Sequence, residues 1–231
     1  NVGDALHCQM WSLLSKNVEY LGPEMALKII DEFTQLSDRV VMGQHIELSW
    51  VNEHRWDLTE QDYFTMCEHK TAWYTCITPC RTGAIIANAP DNIIDSFVSV
   101  GRDLGIAFQI QDDVLNLIGN EDKYGKEIAG DIAEGKRTLI LIHLLNSCTK
   151  SEAEKVFAVM DKSRDEKSKE NYKFVIDLMK KYSSINYARN RARHLSIKAK
   201  KQFEQVMVEQ PDSEAKQYYL RLLDFVIERD S

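Results

Sequence analysis

Residues 108–137 read FQIQDDVLNLIGNEDKYGKEIAGDIAEGKR, and the rest of the chain is best understood outward from them. The stretch opens with Gln109 and Gln111, pairs two acids, Asp112 and Asp113, and adds an amide at Asn116. Glycines at 119, 125, 130 and 135 then punctuate a segment carrying Lys126, Asp131 and Lys136. Hard Mg²⁺ takes carboxylate, amide and water oxygens and shares them with substrate phosphates. Lysines neutralise the phosphate charge that the metal leaves uncovered. Oxygen donors followed by spaced lysines are therefore what a Mg²⁺–diphosphate site requires.

Asp91 after Pro90 marks a helix start. Residues 92–117 hold no proline and keep apolar side chains at helical spacing, which predicts one long helix. On it Gln109, Asp112, Asp113 and Asn116 fall at i, i+3, i+4 and i+7, so all four share a face. Like charges stacked this way are unfavourable unless a cation sits between them. A solvated acidic helix end is the plain alternative. It fits poorly with the apolar neighbours Phe108, Ile110, Val114, Leu115 and Leu117, because an unpaired acid in an apolar helix costs desolvation free energy.

The 231 residues are 44% hydrophobic with only four prolines and ten glycines, which predicts one large helical domain over 1–231 with a substantial core. No run of 18 apolar residues occurs, so no transmembrane segment is expected. The net charge of −7 is unevenly spread. Residues 1–150 carry 12 basic against 22 acidic side chains, and residues 151–231 carry 17 against 14. The acidic part holds the candidate site and would repel nucleic acid. A diphosphate still binds there if divalent metal inverts the local charge. Cysteines at 8, 67, 76, 80 and 148 form no zinc set, and their odd, scattered placement fits reduced thiols in a cytoplasmic protein's core.

Helices are expected nearly throughout. One runs Gly3 to Val18 with Ala5, Met10, Leu13 and Leu14 inward, and Pro23 opens the next at an N1-like position, reaching Val51. Thr59 with Asp62 forms a capping box for a helix to Ala89, kinked at Pro79. Thr138 to Asn146 is read as helix for want of a partner strand. Ser151, Lys167, Ser184 and Pro211 open four more. The acidic pair Asp31-Glu32 reads as the polar face of an ordinary helix. Gly101 and Gly105, at i and i+4, suit close helix packing. His143 reads as a buried, hydrogen-bonded core residue, and Trp11, Trp50, Trp56, Trp73 and Tyr74 as core or dimer contacts.

The residues also carry a family likeness. FQIQDDVLN resembles the second aspartate-rich motif of the trans-isoprenyl diphosphate synthases, and GKEIAGDIAEGKRT the lysine-bearing segment after it. GQHIELSW at 43–50 resembles that family's GQ-x-x-D-L element, HKTAWYT at 69–75 its Lys-Thr element, and Asn1, Gly3 and Asp4 its N-x-G-D helix start. The five matches occur in the family's order. The first aspartate-rich motif, D-D-x-x-D, and its arginine pair, which precede N-x-G-D in the family, do not occur in these residues. The resemblance thus implies an all-α, isoprenoid synthase-type helical bundle with the N-terminal helices missing, equal to the C-terminal two-thirds of the family fold. It implies half of a metal site, and therefore inactivity of these residues alone.

The activity implied is Mg²⁺-dependent condensation of isopentenyl diphosphate with an allylic diphosphate to a longer polyprenyl diphosphate, geranylgeranyl-like in length, by a homodimer. Asp112 would bind metal directly, with Asp113 and Asn116 holding metal-bound waters. Lys70, Lys126 and Lys136 would contact the allylic diphosphate. Thr71 and Gln109, with Lys70 the residues nearest the reaction, would offer oxygen dipoles to the allylic cation. Gln44, Glu47 and Asp131 would stand behind them. Glu47 occupies a position where the family usually has aspartate, and Asn116 its third acid position. The alternatives are a class I terpene cyclase sharing the fold, and a non-catalytic or regulatory partner subunit of a prenyl synthase.

Overall fold

The computed structural model describes residues 1–118 and 129–228. Among them the regular elements are all helical. They are α1 (Val2–Lys16), α2 (Val18–Leu21), α3 (Pro23–Asn52), α4 (Glu60–Cys67), a π-helical segment (Glu68–Ile77), α5 (Thr78–Ile86), α6 (Asp91–Ile118), α7 (Gly130–Ala133), α8 (Leu139–Ser147), α9 (Lys150–Met160), a 3₁₀ turn (Arg164–Glu166), α10 (Lys169–Lys181), α11 (Ser184–Val206) and α12 (Glu214–Glu228). None is long and apolar enough to cross a membrane.

The starts follow local chemistry. Pro23 stands in the first turn of α3, where its missing N–H costs nothing. The capping box at Thr59 and Asp62 forms as expected, Asp62 N donating to Thr59 Oγ1 at 3.2 Å and Thr59 N to Asp62 Oδ2 at 2.8 Å. Thr149 with Glu152 and Ser168 with Asn171 cap α9 and α10 in the same way, so these helices begin beside rather than at Ser151 and Lys167. The last helix opens at Glu214, three residues after Pro211.

The centre of the bundle is α6, packed between α11 and the π-helical segment, with α3 on that segment's far side. Its interior side chains Leu104, Ile110, Val114 and Leu117 anchor the main core. Two glycines let three helices meet at one place. A Cβ on Gly43 of α3 would lie 2.6 Å from Lys70 Cα, and one on Gly105 of α6 would overlap Ala72. Gly101 meets Ile77 at 2.9 Å from its Cα in the same sense, as the sequence spacing predicts. The π segment is thus gripped from both sides at the turn that carries Lys70 and Thr71.

Several expectations need correction. The stretch from Thr59 is not one kinked α-helix. Ten of its residues form a π-helix, and Pro79 sits in the first turn of α5, where the π and α hydrogen-bonding patterns meet. Helix α1 ends at Lys16 and contacts the bundle through Met10, Trp11 and Leu14, leaving Ala5 exposed and Leu13 65% exposed. Glu32 is no surface residue. It is 5% exposed and takes a bidentate pair from Arg81 at 2.8 and 2.6 Å, while Arg81 also reaches Asp95 at 2.9 Å, tying α3 to α5 and α6. Such a pair resists removal of either partner because the survivor is left charged and dry. His143 is only half-buried, bonded to Ser184 Oγ at 3.0 Å and stacked on Tyr187. Trp50 and Trp73 are buried, Trp11 and Trp56 half-buried, and Tyr74 exposed. Cys67 and Cys76 are buried, Cys80 and Cys148 half-buried, but Cys8 is exposed, and all five are free thiols.

Candidate active site

The described candidate residues lie on α3, the π segment, the C-terminal part of α6 and the stretch from 131 to 136. Three small groups build the site.

Lys70 and Glu47 form the first. Lys70 donates to Glu47 across the α3–π contact that Gly43 permits. Glu47 is 9% exposed, so Lys70 is held inward by an acid rather than extended along the surface.

The second is a buried chain of hydrogen bonds. Thr71 Oγ1 donates to Gln109 Oε1 at 2.7 Å, and Gln109 Nε2 donates to Asp113 Oδ1 at 2.8 Å. Tyr63 Oη donates to the other Asp113 oxygen at 2.7 Å. Gln109 and Asp113, one turn apart, do share a face, as the spacing implies. Gln109 therefore turns its oxygen to Thr71 and its amide N–H to Asp113.

The third ties the segment after α6 back onto it. Asn116 Oδ1 accepts the Asp131 backbone N–H at 3.0 Å, and Asn116 O accepts that of Ala129 at 2.7 Å. Lys136 Nζ donates to Asp131 Oδ1 at 2.9 Å and stands 3.0 Å from Glu134 Oε2. Behind Lys136, the Arg137 guanidinium lies 3.9 Å above the Trp56 ring, and Lys167 Nζ donates to Ala133 O at 2.9 Å. Lys126 and most of the glycine-punctuated loop fall outside the described residues. Within that loop, Gly130 opens the short helix α7.

An open cleft of 640 Å³ adjoins these groups, lined by Gln44 and Glu47 on one wall and Lys136 on the other. Lysines from segments 66 residues apart thus serve one cleft, Lys136 on its wall and Lys70 through its pair with Glu47. Burial works against the Lys136 charge, but Asp131 and Glu134 outweigh it and hold the ammonium above the usual lysine range. Asp131 is pushed up by burial, with Lys136 opposing.

Asp113 is pushed up to about 8, first by burial and then by Asp131, with the Tyr63 and Gln109 donors opposing. Its ordinary value is 3.8. The folded chain therefore keeps a proton that the unfolded chain has released, and stability falls as pH rises between these two values. In Mg²⁺-free buffer the thermal midpoint should drop from about pH 5 to about pH 8, and Asp113→Asn should flatten the drop. Melts of both proteins at the two pH values check this.

The Asp112, Asp113 and Asn116 oxygens have the hard chemistry Mg²⁺ prefers. They do not make a cage. Asp112 is half-exposed, Asp113 and Asn116 are buried, and among the described residues no three His, Cys, Asp or Glu side chains converge as a metal set. Their chemistry suits Mg²⁺, but the described residues do not by themselves enclose an ion.

Sequence reasoning passed over Tyr63, Gly43 and Arg137. Tyr63 lies seven residues before Lys70, with nothing around it to mark it.

The profile of the polyprenyl synthetase family matches residues 1–179. The geranylgeranyl diphosphate synthase of Sulfolobus acidocaldarius is 38% identical over 191 residues, 82% of this chain and 56% of that protein. That of Saccharolobus solfataricus is 32% identical over 228 residues, 98% of this chain and 66% of that protein. The crystal structure of geranylgeranyl pyrophosphate synthetase from Pyrococcus horikoshii superposes with a TM-score of 0.75 at 31% identity, covering 90% of this chain and 60% of that one. The chain belongs to the polyprenyl synthetase family, the trans-isoprenyl diphosphate synthases. It spans 56% and 66% of the two curated relatives.

Proposed function

We propose that the protein carrying this chain condenses isopentenyl diphosphate with an allylic diphosphate to a longer prenyl diphosphate, geranylgeranyl-like in length, with Mg²⁺ as cofactor. The observation that carries this reading is that Glu47, which takes Lys70, and Lys136, which is paired with Asp131, line one open cleft. The names of the relatives support it, since both curated proteins described above are geranylgeranyl diphosphate synthases.

In this reading the allylic C–O bond breaks and its electron pair leaves with the diphosphate. The double bond of isopentenyl diphosphate attacks the allylic cation, forming the new C–C bond, and the released proton goes to the departing diphosphate. Mg²⁺, when bound, neutralises the leaving group. Asp112, half-exposed, would be the residue for direct metal contact, and Asn116, whose Oδ1 also accepts the Asp131 N–H, would hold a metal-bound water. A cation at Asp112 would also favour the ionised form of Asp113 next to it. Lys70, Lys126 and Lys136 hold the allylic diphosphate, and Thr71 lies beside the cation. The chain supplies position and charge rather than a nucleophile. The same reading has the protein acting as a homodimer in the cytoplasm.

The test is incubation of the full-length protein with isopentenyl and dimethylallyl diphosphates, with and without Mg²⁺, followed by chain-length analysis. Mg²⁺-dependent products longer than the allylic substrate are expected. Cyclic hydrocarbon or no product, with both substrates intact, would overturn the reading.

A further inference from the structure

The Tyr63 phenol is 1% exposed and sits on α4, while the carboxylate it serves is on α6. Asp113 has a donor on each oxygen, Tyr63 on Oδ2 and Gln109 Nε2 on Oδ1. When ionised, the form that a cation at Asp112 favours, this carboxylate accepts on both oxygens and so fixes which end of a glutamine amide turns toward it. Gln109 must then present its oxygen to Thr71, and Thr71 must donate. The orientation of the Thr71 hydroxyl, next in sequence to Lys70, is thus set from the far end of the chain of bonds.

We propose that Tyr63 is a positioning residue. By pinning Asp113 it orients Gln109, and through Gln109 the Thr71 hydroxyl, and so Asp113 works inward as part of this relay rather than outward on a metal-bound water. The proposal rests on the prenyl-transfer reading for its consequence in turnover. Its geometry rests on the three hydrogen bonds alone. Removing the phenol oxygen leaves the ring's packing in place but frees one Asp113 oxygen. The carboxylate then rotates, and Gln109 loses the partner that decides its orientation.

The measurement is a double-mutant cycle in the full-length protein assayed with Mg²⁺ and both diphosphates. Tyr63→Phe should lower kcat about tenfold, as loss of one buried hydrogen bond to a charged group would, with KM for isopentenyl diphosphate within about twofold. Thr71→Val should lower kcat at least as much. The double variant should lose no more than the worse single, because both break one relay. A phenol with only a structural role would lower the thermal midpoint and leave kcat alone. Wild-type kcat in Tyr63→Phe, or losses that multiply in the double variant, would overturn the proposal. Gln109→Leu, with Tyr63 intact, should reproduce the kcat loss, and it answers the question if Tyr63→Phe does not fold. A wild-type protein that makes no product would sink the prenyl-transfer reading instead. The relay is then read from the side-chain amide resonances of Gln109 in glutamine-labelled protein. They should shift in both Tyr63→Phe and Thr71→Val, and resonances unmoved by Tyr63→Phe contradict it.

Discussion

Asp112→Ala is expected to cut Mg²⁺-dependent turnover by about a hundredfold or more while leaving helix content unchanged. The adjacent acids of α6 live in different surroundings. Asp113 is 5% exposed with donors on both oxygens, whereas Asp112 is half-exposed at the same end of the helix. Of the two, Asp112 is the more exposed, which is why the direct metal contact is proposed for it. An interaction made mainly to the leaving diphosphate as its charge develops is worth about 3 kcal/mol or more in kcat. Alanine is the best helix former, so α6 gains slightly in local propensity. Initial rates across a Mg²⁺ titration, with circular dichroism as control, check the outcome. A variant within about threefold of wild type would remove Asp112 from the metal site.

Gly43→Ala should destabilise the protein by about 3 kcal/mol and take Lys70 out of place. Two effects oppose each other. Alanine within a helix gains about 1 kcal/mol over glycine. The new Cβ would lie 2.6 Å from Lys70 Cα and 2.8 Å from the His69 carbonyl carbon, both backbone atoms that no rotamer change can move. The π segment cannot retreat, because Gly101 and Gly105 of α6 already touch it from behind. The clash therefore wins. Urea unfolding measures the loss, and turnover of the folded variant should fall with it. A variant as stable and active as wild type would mean that α3 and the π segment meet less closely than described.

What was legible in the residues was what local pattern controls. The length of α6, the Thr59–Asp62 capping box, Pro23 at a helix start and the shared face of Gln109 and Asp113 all follow from spacing along one segment. What escaped depends on segments far apart in the chain. A π-helix has only slightly more residues per turn than an α-helix, so over ten positions apolar spacing does not tell Glu68–Ile77 from its neighbours. Glu32 looked like surface because Arg81, its partner, is 49 residues away. Tyr63 and Asp113 are 50 apart, and Asn116 reaches a backbone N–H 15 residues on. Leu13 was placed inward by periodicity, but among the described residues α1 packs through its Met10, Trp11 and Leu14 side. The candidate site residues were picked by chemical type, whereas the partners that orient them needed the fold.

The account's central claim is that Lys70, Lys136 and the Asp112 end of α6 together hold a metal-bound diphosphate. Calorimetric titration of the full-length protein with a non-hydrolysable allylic diphosphate analogue, with and without Mg²⁺, tests it most directly. The account predicts binding that requires Mg²⁺ and weakens at least about tenfold in Lys136→Ala. Equal affinity without Mg²⁺, or an affinity that Lys136→Ala leaves unchanged, would contradict it.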